Sequence, residues 1–350
     1  MGLIPIAPPT CPQGIGADVT GADGHGEIPI LPDRGAAAML VPQGSPWGGG
    51  LMKVAELFTT NTHQSPRVRD DEIDLFGLTH PGKVRAENED HFLACTVHPQ
   101  VIVHGTSLPN VDQLPLRGER LATIVLVADG VGGQSGGSAA SRIATETVTR
   151  YVSSTLRSYY AAGSSDEEVF LDSLRTAALE AHDAVRAEAQ QRPNDKRMAT
   201  TLTLGIAVWP WLYVVQLGDS RCYYYWNRVL HQVTRDQTVA QDLVDQGVMP
   251  KERLQASPYR HVLSSAVGGE DALPEVSRVR IDRFGSVLLF CSDGLTKHAT
   301  DEEIAQHIAA NPRSEAICRS LLDLALERGG TDNITIVVGR RRFGPERENG

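Results

Sequence analysis

A chain of 350 residues can bury a sizeable core without disulfide or metal staples, which excludes a stapled mini-scaffold. Hydrophobic residues at 41% and charged residues at 22% match ordinary globular usage, and 43 acids against 33 bases leave a formal net charge of -10. That balance opposes a broad polyanion-binding face, so nucleic acid is not an expected partner.

The longest apolar runs, Leu121 to Ala128 and Val287 to Cys291, are far shorter than the roughly 20 residues that span a bilayer. No membrane association is expected, and the expected state is a cytoplasmic monomer. Cys11, Cys95, Cys222, Cys291 and Cys318 are widely spaced and mostly lie in apolar runs. They read as reduced packing residues and not as a disulfide framework or a thiolate metal site.

In chain order, residues 1–50 come first, with more than a third of their positions Gly or Pro and no repeat. They predict a disordered extension, bounded near Asp70 and therefore covering residues 1–70. A folded domain is expected over residues 71–342, followed by a short tail at 343–350. After a strand from Leu121 to Ala128, a helix follows Gly137, with Ile143, Thr147, Val148, Tyr151, Val152, Thr155 and Tyr159 at helical spacing. Ser165 and Glu168 form a capping box for a second helix carrying Val169, Leu174, Ala178, Ala181 and Val185 on one side.

Four apolar or aromatic runs follow: Thr201 to Val208, Trp211 to Leu217, Arg221 to Trp226 and Val229 to Val233. The gaps between them are too short for the crossovers that parallel strands require, so these are antiparallel hairpins and a doubly wound parallel sheet is excluded. Strands are also expected at Ser286 to Cys291 and Ile334 to Gly339. Helices are expected at Asp301 to Ala310, behind a Thr300/Glu303 box, and at Ser314 to Glu327, stopped by Gly329-Gly330. The insert from Val97 to Arg120, with Pro99, Pro109 and Pro115, reads as an elaborated hairpin loop. The triplet Arg340-Arg341-Arg342 reads as a solvated end.

The acids carry the functional signal. Asp129, Asp293 and Asp219 each follow a strand, Asp332 precedes one, and Glu89-Asp90 precedes the run from His91 to Cys95. Taken singly, Asp-Gly and Asp-Ser are common turn dipeptides. Packed together, such strands gather their terminal carboxylates into one cluster, and clustered like charges repel or take up protons unless a cation holds them. Oxygen ligands without local His or Cys sets suit Mg²⁺ or Mn²⁺ better than zinc. Two such ions sharing a carboxylate acidify a water and clamp phosphoryl oxygens, the apparatus of phosphoester hydrolysis. The glycine-rich stretch Gly130 to Gly137 fits neither a P-loop nor a dinucleotide fingerprint; close backbone approach and a helix start account for it better.

Taken together, the segments Gly77 to Asp90, Val127 to Gly133, Ala199 to Leu202, Leu217 to Arg221, Thr234 to Asp236, Leu289 to Leu295 and Gly330 to Thr335 resemble those of the PP2C-type, metal-dependent serine/threonine protein phosphatases, particularly the bacterial branch. The resemblance covers roughly residues 74–340. It implies an α+β fold, an α-β-β-α sandwich of two mostly antiparallel sheets flanked by helices. By position it implies that Asp129 bridges two Mn²⁺ or Mg²⁺ ions, with Gly130 lending its carbonyl and Glu89 completing one ion. Asp293 and Asp332 would complete the other, Asp90 would orient the attacking water, and Asp219 would bind a third, weaker ion.

Arg85 matches the family's phosphate-binding arginine, and residues 235–265 its active-site flap. Phosphorylated proteins are the implied substrates, opposite a Ser/Thr protein kinase. Two positions depart from the family pattern: Val131 stands where animal members carry a histidine, leaving the general acid unassigned, and Gln237 replaces the histidine after Asp236. His80, near the motif, reads as structural. The alternatives are a metal-dependent phosphodiesterase or small-phosphoester hydrolase, and a catalytically silent binding module.

Overall fold

The computed structural model describes residues 68–342, apart from 105, 108–109, 111–115, 133–135, 163–166 and 193–196. The expected extension up to residue 67, the tail at 343–350, Cys11, Pro109, Pro115, Ser165 of the second capping box and part of the glycine-rich stretch lie outside the described residues.

Among the described residues, twelve strands carry the fold. One five-stranded sheet has the order β1-β12-β11-β8-β9, where β1 is Ile73–His80, β8 Arg221–Trp226, β9 Val229–Gln232, β11 Val287–Cys291 and β12 Ile334–Arg341. The other has the order β10-β7-β6-β3-β2, with β2 His91–Val97, β3 Ala122–Ala128, β6 Leu202–Val208, β7 Trp211–Leu217 and β10 Glu275–Arg280. The short strands β4 Gly130–Val131 and β5 Ala199–Thr200 pair beside them, and every pairing is antiparallel.

The sheets stack face to face, and each carries helices on its outer side. Ile124 and Leu126 point from β3 toward α1 (Gly136–Ala162) and α2 (Glu167–Gln191), whereas Val125 and Val127 point into the inter-sheet core with Leu212, Val214, Cys222, Phe290 and Val337. On the second sheet, Ile334, Ile336 and Val338 of β12 face the layer made by α5 (Asp301–Ala310) and α6 (Ser314–Glu327). Strands covered on both faces need apolar residues at consecutive positions, which is why these runs are continuous and do not alternate.

The expected hairpins β6-β7 and β8-β9, the helix stops and the Thr300/Glu303 capping box are present, but β7 and β8 do not form the expected hairpin: the link through Gly218, Asp219 and Ser220 passes from one sheet to the other, because each strand finds its neighbours in a different layer. The helix faces match expectation in part: Val148 and Val152, and Leu174, Ala178, Ala181 and Val185, are buried as expected. In α1 the buried stripe is Ala140, Ala144, Val148, Val152 and Leu156, set by small residues that let the helix sit close to the sheet. In α2 Phe170 is buried and Val169 is 62% exposed, because the helix enters with Phe170 stacked edge-on against Tyr213 of β7. The arginine triplet is not a solvated end: β12 continues through Arg340 and Arg341, and Arg341 pairs with Glu72. The four described cysteines are free, three of them buried. The described part of the insert begins as a continued hairpin, with a bridge between Gln100 and Arg117.

Close backbone approach fixes one glycine. Gly294 is the second residue of α4 (Asp293–Thr296), and a Cβ there would fall on the backbone carbonyl oxygen of Asn333. This contact ties the end of β11 to the start of β12. Gly294→Ala is expected to cost about 2–3 kcal/mol through overpacking, read as a lower urea midpoint with an unchanged slope.

Candidate metal centre

The acids gather because their strands end at one pole of the sandwich. His91 pairs with Ala128, which places Asp90 beside Asp129 at the edge of adjacent strands. Leu217 ends β7, Cys291 ends β11 and Ile334 opens β12 at the same pole, so Asp219, Asp293 and Asp332 join them. Asp293 starts the helical turn α4 and is not in a simple turn as the sequence suggested.

A scaffold of hydroxyls and amides holds this cluster. Asp129 N–H donates to Thr201 Oγ1 at 2.9 Å, and the Asp129 carbonyl accepts from Thr200 Oγ1 and Thr201 N, each at 2.9 Å. Ser292 Oγ and Thr335 Oγ1 donate to Asp90 Oδ2 at 2.8 and 2.7 Å. Asn333 accepts from Glu89 N at 2.8 Å and donates to the carbonyls of Pro81 and Glu87, pinning the loop before β2 onto β12. The Asn333 contacts, with Ser292, Thr335 and Thr201, were not anticipated from the sequence; their positions flanking the acids within strand runs were the available signal.

Electrostatically the site has two halves. Burial pushes the Asp129 carboxyl well above its ordinary range, and the charges of Asp90, Asp293, Asp219 and Asp332 push it further. Burial raises Asp90 to about 6, against the pull of its two hydroxyl donors. Burial and the neighbouring Asp293 raise Asp219 to about 8. Glu89 is raised as well, chiefly by burial. Asp332 moves the other way: burial would raise it, but Lys297 and Arg85 more than offset this and hold it low.

Arg85 grips Asp332 as a fork, Nε to Oδ1 at 2.8 Å and a terminal nitrogen to Oδ2 at 3.0 Å. Its side chain is 53% exposed and so faces the open side of the cluster. His261 reaches in from the 235–265 segment, its Nδ1 3.9 Å from Asp293 Oδ2. With Asp219 and Asp293 it forms a group whose ligand atoms all lie within 4.8 Å of one another. Neither His261 nor Lys297 was singled out by sequence reasoning, because only the fold brings them to the cluster.

The remaining expectations near the site resolve structurally. Gln237 is buried and accepts from Gly218 N at 3.0 Å while donating to the Leu273 carbonyl at 3.0 Å, so it braces the turn before Asp219. Asp236 is forked by Arg221. His80 accepts from Gly82 N at 2.9 Å and holds a turn. A cavity of about 1030 Å³ between the sheets lies at the opposite pole, lined by residues such as Leu75, Val125, Leu212 and Phe290, and contains none of the predicted site residues.

Asp90 Oδ1 and Asp293 Oδ1 are buried without a hydrogen-bond partner. A carboxylate oxygen in that situation costs free energy unless protonated or coordinated. Bare oxygens among crowded acids therefore fit a hard divalent cation.

Comparison with known proteins gives the same answer. The family model described as protein phosphatase 2C matches residues 104–323. The chain belongs to the protein phosphatase 2C family. It is 32% identical over 220 residues to the serine/threonine protein phosphatase PstP of Mycobacterium tuberculosis, an alignment covering 62% of this chain and 40% of that protein. The chain therefore matches less than half the length of that relative. It is 28% identical to the serine/threonine phosphatase Stp of Listeria monocytogenes over 270 residues, 75% of this chain and 94% of that protein. A crystal structure of PstP superposes with a TM-score of 0.61 at 28% identity, covering 77% of this chain and 99% of that one. A second, of the PstP catalytic domain in complex with two manganese ions, gives 0.59 over 77% of this chain and 99% of that one.

The raised carboxyls set a pH signature for the metal-free protein. A carboxyl whose folded pKa exceeds its unfolded value near about 4 stabilises the fold when protonated, and that contribution is lost as pH rises through the folded value. Between pH 5 and 8.5 the melting temperature of chelator-treated protein is expected to fall as Asp90 and Asp219 ionise near 6 and 8. Added Mn²⁺ should restore it more at the alkaline end, as scanning calorimetry across that range would show.

Proposed function

We propose that this chain hydrolyses phosphoserine and phosphothreonine in proteins at a centre of two Mn²⁺ or Mg²⁺ ions. The observation that carries the reading is the convergence of Glu89, Asp90, Asp129, Asp219, Asp293 and Asp332 at one pole of a protein phosphatase 2C fold, with bare buried oxygens on Asp90 and Asp293. The names of PstP and Stp, and the two manganese ions in the PstP complex, support it.

In this reading Asp129, Glu89, the Gly130 carbonyl, Asp293 and Asp332 would hold the two ions, and Asp219 would hold a third, weaker one. Such ions supply an acidified water and Lewis-acid stabilisation of phosphoryl oxygens when bound. Asp90, fixed by Ser292 and Thr335, leaves one oxygen free to accept from the attacking water and aim it. Arg85 faces solvent beside the cluster, and its planar fork can exchange the Asp332 carboxylate for two phosphoryl oxygens, setting the substrate in line for attack. The exposed Val131 supplies no proton to the departing serine or threonine oxygen. Removing phosphoryl groups presupposes a step that installs them, so a Ser/Thr protein kinase is the proposed opposing enzyme.

Phosphate release from a phosphothreonine peptide should require Mn²⁺ or Mg²⁺ and exceed turnover of a dinucleotide. Asp129→Asn should lower it about a hundredfold or more, while Arg85→Ala should act mainly by raising KM for the phosphopeptide. Preferential cleavage of the dinucleotide would favour a diesterase. Absence of both activities in Mn²⁺-loaded protein would favour a binding module.

A further inference from the structure

Lys297 caps the C-terminus of α4, one turn beyond Asp293. Its Nζ lies 2.6 Å from Asp293 Oδ2 and 2.6 Å from Asp332 Oδ2, so a single ammonium bridges two carboxylates assigned above to one metal ion. Arg85 closes the far side of Asp332. Two acids and two fixed cations make this half of the cluster neutral. Among the described residues no direct ion pair joins Glu89, Asp90, Asp129 or Asp219 to a lysine or arginine, so that half has no cation of its own.

We propose that Lys297 is an internal cation that competes with a divalent ion for Asp293 and Asp332, so that the two halves of the centre fill in order. The proposal rests on the dinuclear reading given above. An ammonium and a metal ion cannot both occupy the space between those oxygens, since each must approach them closely and the two cations repel. The Glu89/Asp129 half, with no cation to displace, takes its ion first. The Asp293/Asp332 half takes one only when Lys297 swings away. The lysine can do this: its flexible four-carbon stem carries a compact charge, and its side chain is 22% exposed, which gives the ammonium a route to water. Asp293 keeps Oδ1 free of hydrogen bonds even with Lys297 in place, a foothold for the arriving ion. Metal occupancy of the second half thus becomes a graded response to divalent-ion concentration.

The test is Mn²⁺ titration of the full chain by calorimetry, with electron paramagnetic resonance to detect spin-coupled ion pairs. Wild type, Lys297→Gln, Lys297→Met, Lys297→Arg and Asp129→Asn would be compared. Wild type should show two classes of site well separated in affinity. Lys297→Gln and Lys297→Met should tighten the weaker class by about tenfold or more, leave the tighter class nearly unchanged, and bring the coupled signal to lower Mn²⁺. Lys297→Arg, which keeps the charge, should resemble wild type. If wild type binds Mn²⁺, Asp129→Asn loses it, and both neutral Lys297 variants give the wild-type isotherm, this inference falls and the dinuclear reading stands. If no protein in the set takes up Mn²⁺, both fall.

Discussion

Mutual repulsion among carboxylates is the constraint around which this structure is organised. Six acids end up at one pole of a β-sandwich, where burial and proximity disfavour the charged forms of Glu89, Asp90, Asp129 and Asp219. The fold tolerates this because the supporting apparatus is rigid and fully bonded. Ser292, Thr335, Thr201 and Asn333 are all buried, and each holds an acid or its backbone in place. The strain is left to be relieved by a cation from solution and, on one side, by the chain's own Lys297 and Arg85.

The sandwich serves this arrangement directly. Antiparallel pairing brings strand ends that are distant in sequence to the same edge, and the two-faced burial of β3, β11 and β12 fixes their register against slippage. A one-residue shift of β3 would exchange Ile124 and Leu126 with Val125 and Val127 and rotate Asp129 out of the cluster. The hydrophobic layers therefore determine the electrostatics: core packing on both faces of a strand sets where its terminal carboxylate points. Gly294 adds a second restraint, since contact with the Asn333 carbonyl couples the Asp293 turn to the strand that carries Asp332.

Asymmetry within the cluster separates this chain's chemistry from a simple pair of equivalent sites. Asp332 receives a guanidinium fork and an ammonium, whereas Asp129 and Asp219 receive neither. In the proposed reading Arg85 would stand between two anions, the Asp332 carboxylate it holds and an incoming phosphoryl group. Its fork geometry suits either, so substrate binding would be coupled to release of Asp332 through one side chain.

Much was legible in the linear sequence. Uninterrupted apolar runs with short gaps specify the β6-β7 and β8-β9 hairpins for a local reason, since no crossover fits between them, but the equally short gap between β7 and β8 joins strands of different sheets, which depends on packing. The Thr300/Glu303 box and the Gly329-Gly330 stop likewise delimit helices through bonds made within a few residues. The acids at strand ends were visible too, and their order along the chain carried the family resemblance. What the sequence could not supply is anything that depends on which distant backbones become neighbours. The true faces of α1 and α2 follow from how closely small and aromatic residues seat against β-strands, and hydrophobic spacing alone does not report that. Lys297 is an unremarkable helix-cap lysine until β11 and β12 pair and bring Asp332 within 2.6 Å of it. His261 is likewise an ordinary loop residue until its segment folds against α4. Local propensity and chain order settled most of the elements and named the candidate ligands; tertiary packing alone decided which charges face each other, because Coulomb interactions depend on spatial separation and not on distance along the chain.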